Sequence, residues 1–257
     1  MTDQLQLTSP RRRSRFAAIV IYTLQSCIPP KRWFALLLPC VGALLFGLLA
    51  LAVDNFPNND RAFANVAAEG IFALVMPIAA LVIGDAVLGA EVRAGTFHFT
   101  WLSPTPTWQI VLGRWLGGSL VAVVTIAPAS ALAAIIAGSP SSAGPAFVAA
   151  AVGSVSYIAL FIAIGCITRR TAVWSLAIVF LVERLLGAAL TGIAQLSPTW
   201  ESRAIFVGYI NDAPDRLNRS GIPQGGDAVV RLLIVTLVAL LVGNWRMARM
   251  RLSGAAD

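Results

Sequence analysis

Few side chains in this sequence could do covalent or metal chemistry. Among its 257 residues, His98 is the one histidine and Lys31 the one lysine. A zinc peptidase of the H-E-x-x-H type needs two histidines on one helix, and a phosphate-binding loop needs a lysine after a glycine-rich turn. Lys31 instead follows two prolines. The sequence therefore predicts no catalytic, cofactor-binding or metal site, and no ATP hydrolysis by this chain alone.

Three cysteines are scattered in or beside apolar stretches, at positions 27, 40 and 166. They lack the C-x-x-C spacing of zinc or redox sites, and they do not form a disulfide framework. We interpret Cys27, Cys40 and Cys166 as small buried side chains.

The most informative charges are two that interrupt an apolar run. Glu183 and Arg184 are adjacent, and each costs roughly 2.5–3.5 kcal/mol when placed in a membrane helix. Neighbouring residues point about 100° apart on a helix, so the two do not simply neutralise each other. Arg231, one turn inside the last apolar run, could pair with Glu183. Either these charges lock helices together or they line a translocation path.

The elements that carry these charges are predicted from composition. The chain is 58% hydrophobic and 12% charged, with a mean hydropathy of +0.79, which excludes a soluble globular protein. At roughly 20 apolar residues per crossing, the apolar runs predict an all-α polytopic membrane protein with six transmembrane helices. The predicted spans are residues 33–53, 70–88, 108–137, 146–167, 172–193 and 228–245.

The parts outside the spans also have predictable roles. Residues 16–28 place apolar side chains at helical spacing between basic clusters, as in an amphipathic helix lying in the membrane interface. The predicted organisation is a cytoplasmic N-terminus with this helix (1–32), a transmembrane domain (33–248) with a cytoplasmic loop at 89–107 and an outer segment at 195–227, and a cytoplasmic tail (249–257).

The formal net charge is +7, and the distribution of the basic residues along the chain indicates the membrane topology. Most basic residues fall before the first span, in the loops after spans two and four, and after the last span. Basic residues concentrate on the cytoplasmic side of membrane proteins. We therefore expect both termini in the cytoplasm, a multi-pass protein in contact with membrane lipids, and no nucleic-acid partner.

The cytoplasmic loop 89–107 and the start of the next span carry a spaced motif: Glu91-x-x-x-Gly95-Thr96, then Leu102-x-Pro104, then Leu112-Gly113-Arg114. This pattern resembles the signature of type 2 ATP-binding cassette (ABC) permeases. The layout of an entry helix, six spans, cytoplasmic ends and a long outer segment is also similar to that family. Two residues depart from its pattern, since Arg114 replaces the usual lysine and Phe97 the usual leucine. We expect Arg114 to project towards the headgroups.

The resemblance implies that this loop docks on a cytoplasmic ATPase. Glu91 and Arg93 would supply charged contacts, and Gly95 with Thr96 a sharp turn. Three aromatic residues would supply apolar anchors: Phe97, Phe99 and Trp101. The alternative is that these aromatics only lie in the headgroup belt, where aromatic residues are enriched.

The implied function is that of a permease subunit of a bacterial ABC exporter in the cytoplasmic membrane. The family pairs two permeases, identical or homologous, with two ATPase subunits that bind ATP and Mg²⁺. Apolar walls favour a hydrophobic or amphipathic cargo, as in multidrug efflux. One alternative is an ATP-independent secondary transporter or channel that uses Glu183, Arg184 and Asp85. Another is a membrane assembly subunit that transports nothing.

Overall fold

The computed structural model describes residues 15–28, 34–53, 58–96, 105–168, 170–218 and 221–249. Within these ranges the chain is helical and contains no β-strand. The main helices are α1 Arg15–Cys27, α2 Phe34–Leu51, α3 Asn59–Ala94, α4 Thr107–Ile136, α5 Ala143–Ile167, α6 Thr171–Ala189, α7 Pro198–Tyr209 and α8 Gly226–Ala248.

Five of these helices are long and apolar enough to cross a membrane: α3, α4, α5, α6 and α8. The prediction of an all-α, multi-pass architecture is confirmed at this level. The predicted span 33–53 corresponds to α2, whose apolar stretch, Leu36–Leu51, is shorter than those of the other five. The Cys40 thiol in α2 donates to the carbonyl of Thr125 on α4, at 3.2 Å.

Helix α3 is much longer than the predicted span 70–88. The side chain of Asn58 caps its start and accepts from the amide of Arg61 at 2.9 Å. Its first turns are packed in the protein, where the Phe63 ring meets Phe206 of α7 edge-on at 5.9 Å between centroids. Two stretches of α3 are π-helical, Ala67–Val75 and Asp85–Gly89. The polar composition of the segment before residue 70 predicted a loop. In the structure the segment is helical, because its polar side chains make contacts within the protein.

The connection between α6 and α8 contains a buried helix. Helix α6 ends at Ala189, because Leu190 adopts an extended backbone conformation. Ser197 then caps α7, accepting from the Trp200 amide at 3.4 Å, and Pro198 takes the first helical position. Proline at this position leaves no helical hydrogen bond unmade. Much of α7 is buried against α5 and α8, so the predicted outer segment 195–227 is partly core.

Helix α1 packs against α4 at two glycines. A Cβ atom on Gly113 would lie 2.8 Å from Cγ2 of Ile19, and one on Gly117 would lie 2.8 Å from Cβ of Thr23. Only glycine allows this approach, so the Gly113-x-x-x-Gly117 spacing is a helix contact. The contact holds α1 beside the first half of α4.

Candidate functional site

Two groups of charged residues occupy opposite ends of α3. We call Asp85, Glu91, Arg93 and Arg114 the Glu91 cluster, and Glu69, Arg184 and Arg203 the Glu69 cluster. Sixteen residues separate Glu69 from Asp85 along the helix, which corresponds to roughly 24 Å at 1.5 Å per residue. The two clusters are therefore separate sites.

The centre of the Glu91 cluster is a two-point ion pair between α3 and α4. Arg114 Nη2 lies 2.7 Å from Glu91 Oε2, and Arg114 Nη1 lies 3.1 Å from Glu91 Oε1. The same Nη1 also donates to the carbonyl of Val87. The side chain of Arg114 is 1% exposed and that of Glu91 is 12% exposed. This paired, fork-like geometry is the strongest that arginine makes with a carboxylate.

The burial of Arg114 corrects one expectation from the sequence. We expected this residue to project towards the headgroups, but it lies inside the protein, where Glu91 and the Val87 carbonyl bind its two Nη groups. The Tyr22 ring of α1 lies 5.8 Å from the guanidinium carbon. Glu91 therefore has a structural partner within the chain, whatever it contacts outside.

A second ion pair lies at the same end of α3. Arg93 Nη2 donates to Asp85 Oδ2 at 2.6 Å, and this pair is more exposed than the first. Gly95 then ends the helix in the left-handed conformation, with φ 71°. The amide of Thr96 donates back to the carbonyl of Glu91 at 3.1 Å. The predicted anchors Phe97, Phe99 and Trp101 lie outside the described residues, so their docking role stays a prediction.

Apolar space adjoins the Glu91 cluster. A cavity of about 610 Å³ lies between α1, α2 and α3, with Tyr22, Leu36 and Leu81 among its walls. Asp85, Glu91 and Arg93 also line it. The cavity thus combines an apolar interior with charge at one end.

At the other end of the molecule, Glu183 is bound by three hydrogen-bond donors. Its Oε2 accepts from the Tyr157 hydroxyl at 2.6 Å, from Ser197 Oγ at 2.7 Å and from the Thr199 amide at 3.4 Å. Trp200 Nε1 donates to the main-chain carbonyl of Glu183 at 3.0 Å. Glu183 is 3% exposed. These bonds connect α6 to α5 and α7.

Arg184 points to a different neighbour. Its Nη1 lies 3.3 Å from Glu69 Oε2 on α3. Arg203 on α7 also pairs with Glu69, and its Nε donates to the Ala68 carbonyl at 2.7 Å. The Glu69 carboxylate thus forms ion pairs with both Arg184 and Arg203. The helix-locking interpretation of Glu183 and Arg184 is the one these contacts support, and a translocation path past them stays a prediction.

Arg231 does not take part in this network as the sequence suggested. Among the described ion pairs Glu183 is not joined to Arg231, because Tyr157, Ser197 and Thr199 surround its carboxylate. The Arg231 charge acts on Glu201 of α7 instead. Glu201 is fully buried. Burial raises the pKa of Glu201 to about 7, against the opposing effect of Arg231.

Sequence reasoning missed Glu69, Glu201 and Arg203 because it placed all three in polar connections. One local signal could have found two of them. Ser197 followed by Pro198 is a typical helix start, and Glu201 and Arg203 lie in the first turns that follow. No comparable signal marks Glu69, whose role depends on Arg184 and Arg203 far along the chain.

No family model matches the chain, and no curated protein matches it.

Proposed function

We propose that this chain is the membrane-spanning permease subunit of a bacterial ABC exporter. In this proposal α2, α3, α4, α5, α6 and α8 are its six spans, and α1 lies in the inner membrane interface. Both termini and the segment 95–106 face the cytoplasm. The support comes from the motif around Glu91 and Arg114, the apolar helices and the distribution of basic residues.

The observation that carries the proposal is the ion pair between Glu91 and Arg114. It ties the end of α3 to the start of α4, on either side of the segment 95–106. A cytoplasmic partner can move membrane helices only through a stiff connection. A force applied to this segment would reach both helices together, and α1 would follow because it is packed on α4 at Gly113 and Gly117.

The partners follow from the same proposal. A separate cytoplasmic subunit binds ATP and Mg²⁺, and a second permease, identical or homologous, completes the transport path. The cargo is hydrophobic or amphipathic. The cavity beside the Glu91 cluster, apolar with charge at one end, suits such a molecule.

The ATP-independent alternative needs acidic residues that face one another along a path. Asp85 is paired with Arg93. Glu183 accepts from Tyr157, and its neighbour Arg184 pairs with Glu69, nearer the start of α3. Roughly 24 Å of helix separates Asp85 from Glu69, and this spacing argues against a single relay through Asp85 and Glu183. This favours the partner-driven mechanism.

Purification of the chain from its native membranes tests the proposal. We expect an ATPase with a phosphate-binding loop to co-purify in stoichiometric amount. Phe99→Ala should reduce its recovery, whereas Phe34→Ala, the same change at an exposed position at the start of α2, should not. A preparation without such an ATPase, or equal recovery with both variants, would contradict the proposal.

A further inference from the structure

A second cavity lies beside the Glu69 cluster, and nothing in the proposed function uses it. Its volume is about 300 Å³, at the lower end of the range for small-molecule sites. Four parts of the chain meet there: α3, the end of α6, the middle of α7 and the loop before α8. Its polar wall consists of Glu69, Trp200, Arg203, Arg216, Asn218 and Gln224.

The guanidiniums on this wall are fixed in position. Arg203 is held by the Ala68 carbonyl and Glu69, and its guanidinium carbon lies 5.0 Å from the centroid of the Trp200 ring. Arg216 donates to the side chain of Asn65. An arginine has five N–H donors, so one that holds a protein acceptor can bind a ligand oxygen as well. Groups fixed in this way lose little entropy when a ligand binds.

The local charge balance is positive. Among the described residues that line the cavity, Glu69 is the one carboxylate, and it already forms ion pairs with Arg184 and Arg203. Arg216 adds a further positive charge. In the neighbouring loop Asp212 is bound by Arg61. Counting Asp215 as well as Glu69 leaves two negative charges against the three of Arg184, Arg203 and Arg216, an excess of one positive charge. A bound anion would compensate the excess positive charge.

The cavity also adjoins an apolar surface. Ala188 of α6 lines it, and the neighbouring Leu185, Leu186 and Leu190 are 63%, 46% and 53% exposed. Most of α6 is on the outside of the helix bundle, where a membrane protein meets lipid tails. A ligand with an anionic head and an apolar tail would satisfy both surfaces at once.

We propose that this cavity binds the phosphate group of an anionic amphiphile, with Arg203 and Arg216 on the phosphate oxygens and the tail along α6. The two amides, Asn218 and Gln224, flank the head. This site does not depend on an ATPase partner, because every residue it uses belongs to this chain. The same phosphate chemistry could be met by free inorganic phosphate, which the test separates from a lipid.

Binding to the purified full chain in an uncharged detergent is the test. Dihexanoyl phosphatidylglycerol is the anionic probe, dihexanoyl phosphatidylcholine the zwitterionic control, and inorganic phosphate the free anion. We expect saturable binding of phosphatidylglycerol that is about tenfold tighter than that of phosphatidylcholine. The loss of one charge-assisted contact in Arg216→Gln should weaken it by about tenfold.

Two further variants distinguish binding at this specific site from a general effect of surface charge. Arg231→Gln removes a charge from the same end of the molecule but from outside the cavity, and should leave the affinity unchanged. Gln224→Leu removes a polar group without changing charge, and should weaken binding about threefold. Unfolding temperatures of all variants check that each one is folded.

The outcomes are distinct. Phosphatidylglycerol binding with this variant pattern supports a lipid headgroup site, and inorganic phosphate that binds equally well with the same pattern supports a site for the free anion. The proposal is overturned if neither probe saturates the wild-type chain. It is also overturned if Arg231→Gln weakens binding as much as Arg216→Gln. Neither result bears on the ATPase partner, so this proposal and the proposed function can fail separately.

Discussion

Arg114 on α4 and Glu91 on α3 face each other as a two-point ion pair, at 2.7 and 3.1 Å, with the arginine almost completely buried. Each residue neutralises a charge that the surrounding apolar helices could not hold alone. The pair therefore has two consequences, one for stability and one for the transmission of force between helices.

The stability consequence can be measured with Glu91→Ala. This change leaves the Arg114 guanidinium buried without its carboxylate, a defect that typically costs about 3–5 kcal/mol. Asp85→Ala is the matched control, because it breaks the more exposed pair with Arg93 and should cost less than about 1 kcal/mol. Unfolding of the purified variants in detergent gives both values. Equal losses would mean that the buried pair has no special structural role.

A second prediction concerns the hydrogen bonds to Glu183. Tyr157→Phe removes the donor at 2.6 Å and should lower the free energy of unfolding by about 1–3 kcal/mol. Tyr209→Phe removes a hydroxyl from a side chain that is 48% exposed, and should have little effect. If both tyrosine variants unfold like the wild type, Glu183 does not lock α6 to α5.

The buried carboxyl of Glu201 should make stability depend on pH. Its pKa is raised to about 7 in the folded chain, from an ordinary value of 4.5, so the folded chain binds the proton more tightly than the unfolded chain. The contribution of Glu201 to stability is therefore complete below about pH 4.5 and is lost as the pH rises to about 7, a change of up to about 3 kcal/mol.

Unfolding measured across this pH range checks the effect, with Glu201→Gln as the informative variant. An amide does not titrate, so the variant should lose this part of the pH dependence. Asp227→Asn, at an exposed position in the first turn of α8, should retain it. A pH profile that is unchanged in Glu201→Gln would show that another group is responsible.

Cysteine labelling tests the proposed topology. A cysteine at Asn218 should react with a membrane-impermeant reagent added to intact cells, because the proposed topology has the connection between α6 and α8 on the outer side. A cysteine at Ser103 should react only after permeabilisation. The reverse pattern would invert the orientation, and with it the side on which an ATPase could act.

These residues also show what the sequence can predict. Apolar runs located the helices α3 to α6 and α8, because about 20 apolar residues in a row have few other structural options. The partners of charged residues could not be predicted in the same way. Arg114 was expected near the headgroups because its pairing with Glu91 depends on how α3 and α4 are rotated against each other.

The polar connections were the weakest part of the prediction. A polar side chain that is buried by its contacts looks the same in sequence as one in water, so the first turns of α3 and most of α7 were predicted as surface segments. Glu69 and Arg203 lie in those stretches and contact each other only in the folded chain. The site that they form was therefore not predictable from local patterns.

The most direct test of the central claim is photo-crosslinking in native membranes from a reactive residue placed at position 99. The proposal predicts that the main protein cross-linked there is an ATPase with a phosphate-binding loop. The same residue placed at position 34 should not give this product. If no such ATPase is cross-linked at position 99, or if it is cross-linked equally from both positions, the segment 95–106 is not a coupling element.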